Sequence, residues 1–307
     1  MLHLGNARSF LLAWLDVRSV KGQILLRVED LDGPRVRPDL IEQTIEDLKW
    51  LGLDWDEGPL IQSDREKRYL SVFDDLRNKD LVYPCICSRR DVESAAAAPH
   101  TGDEGPVYPG TCQDNRAEVE ERIRHGNLSP CWRFRVPKER QVAWDDRFAG
   151  AQSFDLARDI GDFVVWKREG GPSYQLAVAV DDVDQGVDTV LRGDDLLPSV
   201  ARQVLLWEFL GQAPPLFAHV PLVVGADGKR LAKRHGDTTL ASLRGQGKSA
   251  NEVVGLLAWW SGLATNLKPV QAHDLIEGFQ LKNVPAKTIV WSGDWPEHEK
   301  TPTSGGG

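Results

Sequence analysis

Short apolar runs and amphipathic helical patterns alternate along residues 1–80 and again from residue 184, and a long stretch of different texture separates the two. A chain written this way buries its apolar surface most directly as one α/β layer structure interrupted by an insertion. From Asn6 to Val17, residues Ala7, Phe10, Leu11, Trp14 and Leu15 fall on one stripe of a helix. Gln23 to Val28 reads as a buried strand that runs into the acidic, Gly-Pro-bearing loop Glu29 to Pro34. Pro38 opens a helix carrying Leu40, Ile41, Ile45, Leu48 and Leu51, closed by Gly52. Ser63 with Glu66 reads as a capping box for a further helix whose apolar face is Tyr69, Val72 and Leu76. After the interruption, Val187 to Leu191 is expected as a strand, Ser199 to Leu210 as a helix and Phe217 to Val224 as another strand.

The expected organisation is therefore half of a catalytic domain at 1–80, an insertion at 81–183, and the second half at 184–237. The insertion contains the cysteines and a Gly/Pro cluster from Pro99 to Gly110, and its stretches Cys131 to Val136 and Phe163 to Lys167 look antiparallel. Residues 238–300 read as a separate helical unit, with a second capping box at Ser249 and Glu252 ahead of Val253, Leu256, Leu257 and Trp260. Residues 301–307 are Thr, Pro, Ser and Gly, too polar to bury, and are expected to be disordered.

The longest apolar runs, Phe10 to Leu15 and Leu176 to Val180, fall far short of the roughly 18 residues a membrane helix requires. The first is also too short for a secretory signal and lacks a small-residue cleavage site, so a cytoplasmic protein without a membrane partner is expected. Four cysteines, Cys85, Cys87, Cys112 and Cys131, are too few and too clustered for a disulfide framework in 307 residues, and their clustering suggests metal. A formal net charge of −9 argues against a surface coated for nucleic acid, so any RNA contact must use a local patch. Arg116, Arg122, Arg124, Arg133, Arg135, Lys138 and Arg140 offer one, although Glu118, Glu120, Glu121 and Glu139 balance it and allow a plain solvated face instead.

Two clusters could carry chemistry. His3-Leu4-Gly5-Asn6 precedes the first helical stripe, where unsatisfied backbone N–H groups attract phosphate and a glycine permits close approach. The plain alternative is that Asn6 caps the helix and His3 lies on the surface. Gly225 to Gly236 follows an expected strand and holds Lys229, Arg230, Lys233 and Arg234, cations suited to a polyphosphate whose charge grows during reaction. Alone, it is equally a solvated basic loop.

Taken together, these clusters resemble the signatures of class I aminoacyl-tRNA synthetases of the glutamyl type. His3 to Asn6 looks like the His-Ile-Gly-His signature with its last histidine replaced, and Arg230-Leu231-Ala232-Lys233-Arg234 looks like the Lys-Met-Ser-Lys-Ser signature with alanine in place of serine. Arg27 to Asp32, Gln62 to Arg65, Pro172 to Ala177 and Leu191 to Leu196 follow in the family's order. The resemblance implies a Rossmann-type parallel sheet with a zinc-bearing insertion. It also implies ATP as its Mg²⁺ complex, held by His3, Gly5, Asn6 and Lys233, with His3, Asn6 and Lys233 catalytic. Glu29, Tyr174 and Arg192 would bind L-glutamate, with Arg192 as a bidentate carboxylate partner.

Because the chain ends at Gly307, soon after Lys233, it resembles the shorter paralogous family, the glutamyl-Q tRNA(Asp) synthetases. That family activates glutamate with ATP without tRNA and transfers it to queuosine at the wobble position of tRNA(Asp). A monomer is expected. Rival readings are a catalytic fragment of an enzyme charging tRNA(Glu), a nucleotidyltransferase sharing the His-x-Gly signature, and a non-catalytic zinc-bearing paralogue.

The same resemblance implies a structural Zn²⁺ on Cys85, Cys87, Tyr108 and Cys112. Cys85 and Cys87 share one side of an extended segment, and Cys131 or His100 are alternatives to the unusual phenolate ligand. Related enzymes also place a strand reading roughly Arg-Phe-Ala-Pro-Ser-Pro-Thr-Gly before the His-x-Gly signature, whereas only Met1 and Leu2 precede His3 here. Each buried backbone group left unpaired costs about 1–3 kcal/mol. The expectation is that Met1 is a misplaced start, or that this form folds poorly and is inactive.

Overall fold

The computed structural model describes residues 2–31, 38–95, 106–126, 128–231 and 238–296. Helix α1 (Leu4–Ser19) buries Leu4, Ala7, Leu11, Leu12, Trp14 and Leu15, and full burial of each leucine contributes about 1.5–3 kcal/mol. It begins two residues before the expected Asn6, because His3 rather than Asn6 supplies the cap. After it come β1 (Leu25–Val28), α2 (Pro38–Trp50) and β2 (Glu57–Ile61), the two strands pairing in parallel across the helical crossover. Helix α3 (Glu66–Asn78) then buries Tyr69, Val72, Phe73 and Leu76. The capping box expected at its start is absent. Residues Gln62–Arg65 form a 3-10 turn, and the Ser63 hydroxyl donates to Asp30 at 2.6 Å instead of capping.

Within residues 81–183, the segment expected as an insertion, the strand pairs are antiparallel. Strands β3 (Val82–Cys85), β4 (Cys131–Phe134) and β7 (Phe163–Trp166) form one sheet in that order, with α4 (Arg89–Ala95), α5 (Thr111–Asp114) and α6 (Arg116–Gly126) between β3 and β4. A hairpin of β5 (Gln141–Asp146) and β6 (Gly150–Asp155) projects from the same segment. Helix α7 (Tyr174–Asp184) starts at Ser173, whose hydroxyl accepts from the Leu176 amide, and packs against α8 (Ser199–Phe209).

Strand β8 (Thr189–Gly193) pairs in parallel with β9 (Leu216–Val220) across α8. The single strand expected over Phe217 to Val224 is two, β9 and β10 (Val223–Gly225), broken at Pro221, which has no N–H for a ladder. Nor do the parallel strands join into one sheet. Among the described residues they form the separate pairs β1–β2, β8–β9 and β10–β11 (Ile289–Trp291). Helix α1, not a further strand, packs against β8.

The C-terminal segment contains α9 (Leu240–Gly245) and α10 (Ala250–Trp260), the latter with the expected reciprocal capping box of Ser249 and Glu252. It is not a separate helical unit. Val253, Val254, Leu256 and Leu257 share one core with Leu4, Leu11, Leu12 and Leu15 of α1, and β11 completes a parallel pair with β10. A buried cation reinforces that union: Arg8 donates from Nε to Ser261 Oγ at the end of α10 (3.0 Å) and from Nη1 to the Pro221 carbonyl (2.6 Å). Its Nη2 has no hydrogen-bond partner among the described residues. Burial lowers the Arg8 pKa to about 10, partly offset by Asp194, so the group stays charged at neutral pH.

Candidate active site

The start of α1 is fully satisfied by the protein itself. His3 Nδ1 accepts from the amides of Gly5 (3.1 Å) and Asn6 (3.3 Å), the Leu4 amide donates to the Thr238 carbonyl (3.1 Å), and the Ala7 amide donates to the His3 carbonyl (3.0 Å). The free amides expected to receive phosphate are therefore occupied here. Gly5 serves this fold-back: a Cβ at that position would lie 3.1 Å from the His3 ring. With its Nδ1 lone pair so used, the neutral ring carries its proton on Nε2 and presents a hydrogen-bond donor outward. Burial, the charge of Arg230 and the chain's amino terminus together lower the His3 pKa to about 4, so this neutral form holds at physiological pH.

Lys233 lies outside the described residues, as do Ala232, Arg234 and His100. Both flanks of its segment are nonetheless fixed beside His3. On one side, Leu231 is buried and its amide donates to the Val223 carbonyl. On the other, His3 and Thr239 form an antiparallel bridge, and the Leu240 amide donates to the Leu2 carbonyl. Arg230 Nη1 meets Asp195 Oδ2 at 2.6 Å, linking the basic segment to the end of β8.

Glu29, Tyr174 and Arg192 come together from β1, α7 and β8. Arg192 Nη1 donates to the Tyr174 hydroxyl (3.4 Å), and the charges of both Arg192 and Glu29 act on Tyr174. Arg27, which sequence reasoning gave no role, orients the acid. It donates from Nη1 to Asp182 (2.7 Å) and Gln185 (3.0 Å), and its Nη2 lies 3.5 Å from Glu29 Oε1. The Glu29 side chain keeps 43% exposure, enough to receive a ligand's ammonium. Partial desolvation pushes its carboxyl up, and Arg27 pulls it back. Behind them Asp181, fully buried, accepts from Arg65, Gln62 and Tyr69 at 2.8 Å each.

The expected bidentate fork of Arg192 is not free. Its Nε donates to His219 Nε2 (3.0 Å), and its Nη2 donates to Gln203 Oε1 (3.0 Å) and the Leu196 carbonyl (3.3 Å). Of five N–H donors, one on Nη1 remains for a carboxylate beside the one that meets Tyr174, with the Tyr174 hydroxyl proton next to it. His219, Gln203 and Asp146 behind it carry no local sequence signal.

In the insertion, Cys85, Cys87 and Cys112 bring their sulfurs within 4.8 Å of one another, with Cys87 and Cys112 3.4 Å apart. The Tyr108 hydroxyl stands 3.5 Å from Cys85 Sγ and 3.6 Å from Cys87 Sγ and accepts from the Cys112 amide at 2.8 Å. A tetrahedral Zn²⁺ with ordinary bond lengths sets S···S near about 3.8 Å and S···O near about 3.6 Å, so these four donors fit the ion. Cys131 is not one of these mutually close sulfurs, and its thiol donates to the Cys85 carbonyl at 3.4 Å. Arg133 stacks on the Tyr108 ring, 3.8 Å from its centroid.

Comparison with known proteins finds relatives over most of the chain. The family model described as tRNA synthetases class I (E and Q), catalytic domain, matches residues 1–285. A glutamyl-Q tRNA(Asp) synthetase of Symbiobacterium thermophilum is 48% identical over 297 residues, covering 94% of this chain and 91% of the relative. One from Rhodopirellula baltica is 44% identical over 85% of this chain and 82% of its own. The crystal structure of a glutamate tRNA ligase from Elizabethkingia meningosepticum in complex with its amino acid matches with a TM-score of 0.77 at 26% identity, covering 95% of this chain and 65% of that one. No helix among the described residues is long and apolar enough to cross a membrane.

Proposed function

The chain belongs to the class I tRNA synthetases of the glutamate and glutamine group, and on that premise we propose that it is a ligase that activates glutamate with ATP in the absence of tRNA and transfers it to queuosine of tRNA(Asp). One observation carries this reading. Glu29 and Arg192 lie at the carboxyl ends of β1 and β8, strands of two separate parallel pairs, their charges both act on Tyr174, and Asp195, three residues beyond Arg192, pairs with Arg230 beside His3. Open parallel sheets bind ligands at those strand ends.

In this reading Glu29 takes the substrate ammonium, while Arg192 Nη1 and Tyr174 take a carboxylate. The other, α-carboxylate oxygen attacks the α-phosphorus of Mg²⁺-ATP, and the bond to the bridging oxygen breaks to release pyrophosphate. His3 donates from Nε2 to a phosphate oxygen at the start of α1, beside Gly5 and Asn6, and Lys233 balances the charge on the departing pyrophosphate. The protein supplies position and charge, with no covalent intermediate on a side chain. A hydroxyl of queuosine then attacks the acyl carbon and AMP leaves. Zn²⁺ on Cys85, Cys87, Tyr108 and Cys112 would supply a structural cross-link between β3 and α5.

The test is pyrophosphate exchange with glutamate and Mg²⁺-ATP without RNA, followed by labelled glutamate transfer to tRNA(Asp) with and without queuosine and to tRNA(Glu). Exchange without RNA and labelling of the queuosine-bearing tRNA alone is expected. Exchange that needs tRNA(Glu), with label on its 3′ end, overturns the assignment in favour of a charging fragment.

A further inference from the structure

Behind Arg192 lies a buried acid–imidazole pair that no step above uses. His219, on β9, and Asp146, at the end of β5, have side chains with no solvent exposure, and Asp146 Oδ2 lies 2.6 Å from His219 Nδ1. The other carboxylate oxygen, Oδ1, accepts from the backbone amides of Phe148 (3.0 Å), Ala149 (2.9 Å) and His219 (3.0 Å). Burial alone would raise this carboxyl, but the imidazole N–H and those three amides reverse the effect and hold it ionised. An ionised carboxylate only accepts, so His219 Nδ1 carries the proton. On the ring's far side Nε2 faces Arg192 Nε at 3.0 Å. An arginine only donates, so Nε2 must carry a lone pair. The two neighbours therefore allow one state of His219: neutral, protonated on Nδ1.

We propose that Asp146 and His219 are positioning residues for amino-acid recognition, in which the carboxylate fixes the imidazole tautomer and the imidazole aims Arg192 so that Nη1 faces the cleft. The proposal rests on the reading of Arg192 as a glutamate contact. It also gives the β5–β6 hairpin of the insertion a task in the catalytic half, since that hairpin carries Asp146. The arrangement is unforgiving of tautomer. Protonation on Nε2 would set two donors against each other at 3.0 Å and push the guanidinium off Gln203 and Tyr174.

Asp146→Asn tests this. The introduced carboxamide keeps its oxygen on the three backbone amides, while its NH₂ now donates toward His219 Nδ1 and forces the proton to Nε2. Loss of one positioned hydrogen bond at a charged group corresponds to about 10- to 100-fold in affinity. The full chain is assayed by pyrophosphate exchange for KM of glutamate and, separately, of ATP. The tautomer is read from ¹⁵N shifts of the histidine rings. The expected result is a rise of about 10- to 100-fold in KM for glutamate, an unchanged KM for ATP, and a His219 ring switched from Nδ1–H to Nε2–H.

Should Asp146→Asn fail to fold, His219→Leu against His219→Gln decides the same point. Leucine should raise KM for glutamate, and glutamine, whose amide both donates and accepts, should restore most of it. Arg192→Ala is the control. If it raises KM for glutamate while Asp146→Asn and His219→Leu do not, the relay is refuted and the reading of Arg192 stands. If Arg192→Ala leaves KM for glutamate untouched, Arg192 is no glutamate contact, and that reading falls with the relay.

Discussion

Acid should weaken the start of α1 before it touches most of the fold, and His3 is the reason. Its ring caps the helix through an unprotonated Nδ1, so proton uptake there and capping exclude each other. The folded pKa of about 4 lies below the ordinary 6.5. Between those values the unfolded chain binds a proton that the folded chain refuses, and stability rises with pH across the window. The contribution is complete above pH 6.5 and drains away as pH falls toward 4. The full difference corresponds to about 3.4 kcal/mol, and discounting for the solvent that still reaches a partly buried ring leaves about 1–2 kcal/mol. A good N-cap is independently worth about 0.5–2 kcal/mol. His3→Asn keeps a side-chain acceptor but cannot titrate in this range. Urea unfolding of both proteins at about pH 7.5 and about pH 4.5 should show wild type losing about 1–2 kcal/mol more than the variant. An NMR titration of the His3 ring should show a midpoint near 4. A flat difference between the two proteins, or a midpoint near 6.5, refutes a buried His3 held neutral at the start of α1.

Two further outcomes follow from the buried polar groups. Purified protein should contain one zinc per chain, lost in Cys87→Ser and retained in Cys131→Ser, because Cys131 donates to a carbonyl and stands outside the cluster; metal analysis decides it, and the reverse pattern would overturn the ligand set. Asp181→Ala should destabilise the chain by about 3–5 kcal/mol, since it strands the buried donors of Arg65, Gln62 and Tyr69 together; denaturant unfolding at neutral pH measures it, and a loss under about 1 kcal/mol would contradict the network's role.

Local pattern makes a sequence legible where local forces decide. The helix beginning at Ser199 and the Ser249–Glu252 box appear as written, because each rests on neighbours three or four residues away, and the stripe of α1 does so except for Phe10, which is exposed while Leu4 and Leu12 take buried places. The grouping of Cys85 and Cys87 with Cys112, which lies 25 residues beyond Cys87, comes from the family resemblance and not from local pattern. Ser63 departs from its local pattern because a partner 33 residues distant, Asp30, outcompetes the cap. The broken strand had a visible warning in Pro221. Strand β11 had none, being three residues long and paired far along the chain. The environment of Arg192 was equally hidden: its register in the family motif points to a ligand, but nothing near it foretells His219, Gln203 and Asp146.

The buried guanidinium of Arg8 has a consequence for how this molecule comes apart. Lifting α10 away would break its bond to Ser261 and leave a cation half-enclosed between α1 and the Pro221 carbonyl. Partial opening of that kind gains chain entropy in one helix while wetting the core that α10 shares with α1. The cheap, sub-global openings that let many proteins shed a terminal helix are thereby suppressed. Amides in α10 should exchange with solvent deuterium only as fast as those of α1, and a protease should find no early cut at 246–249. The segment that reads in the sequence as an appendage thus unfolds on the same clock as the helix bearing His3.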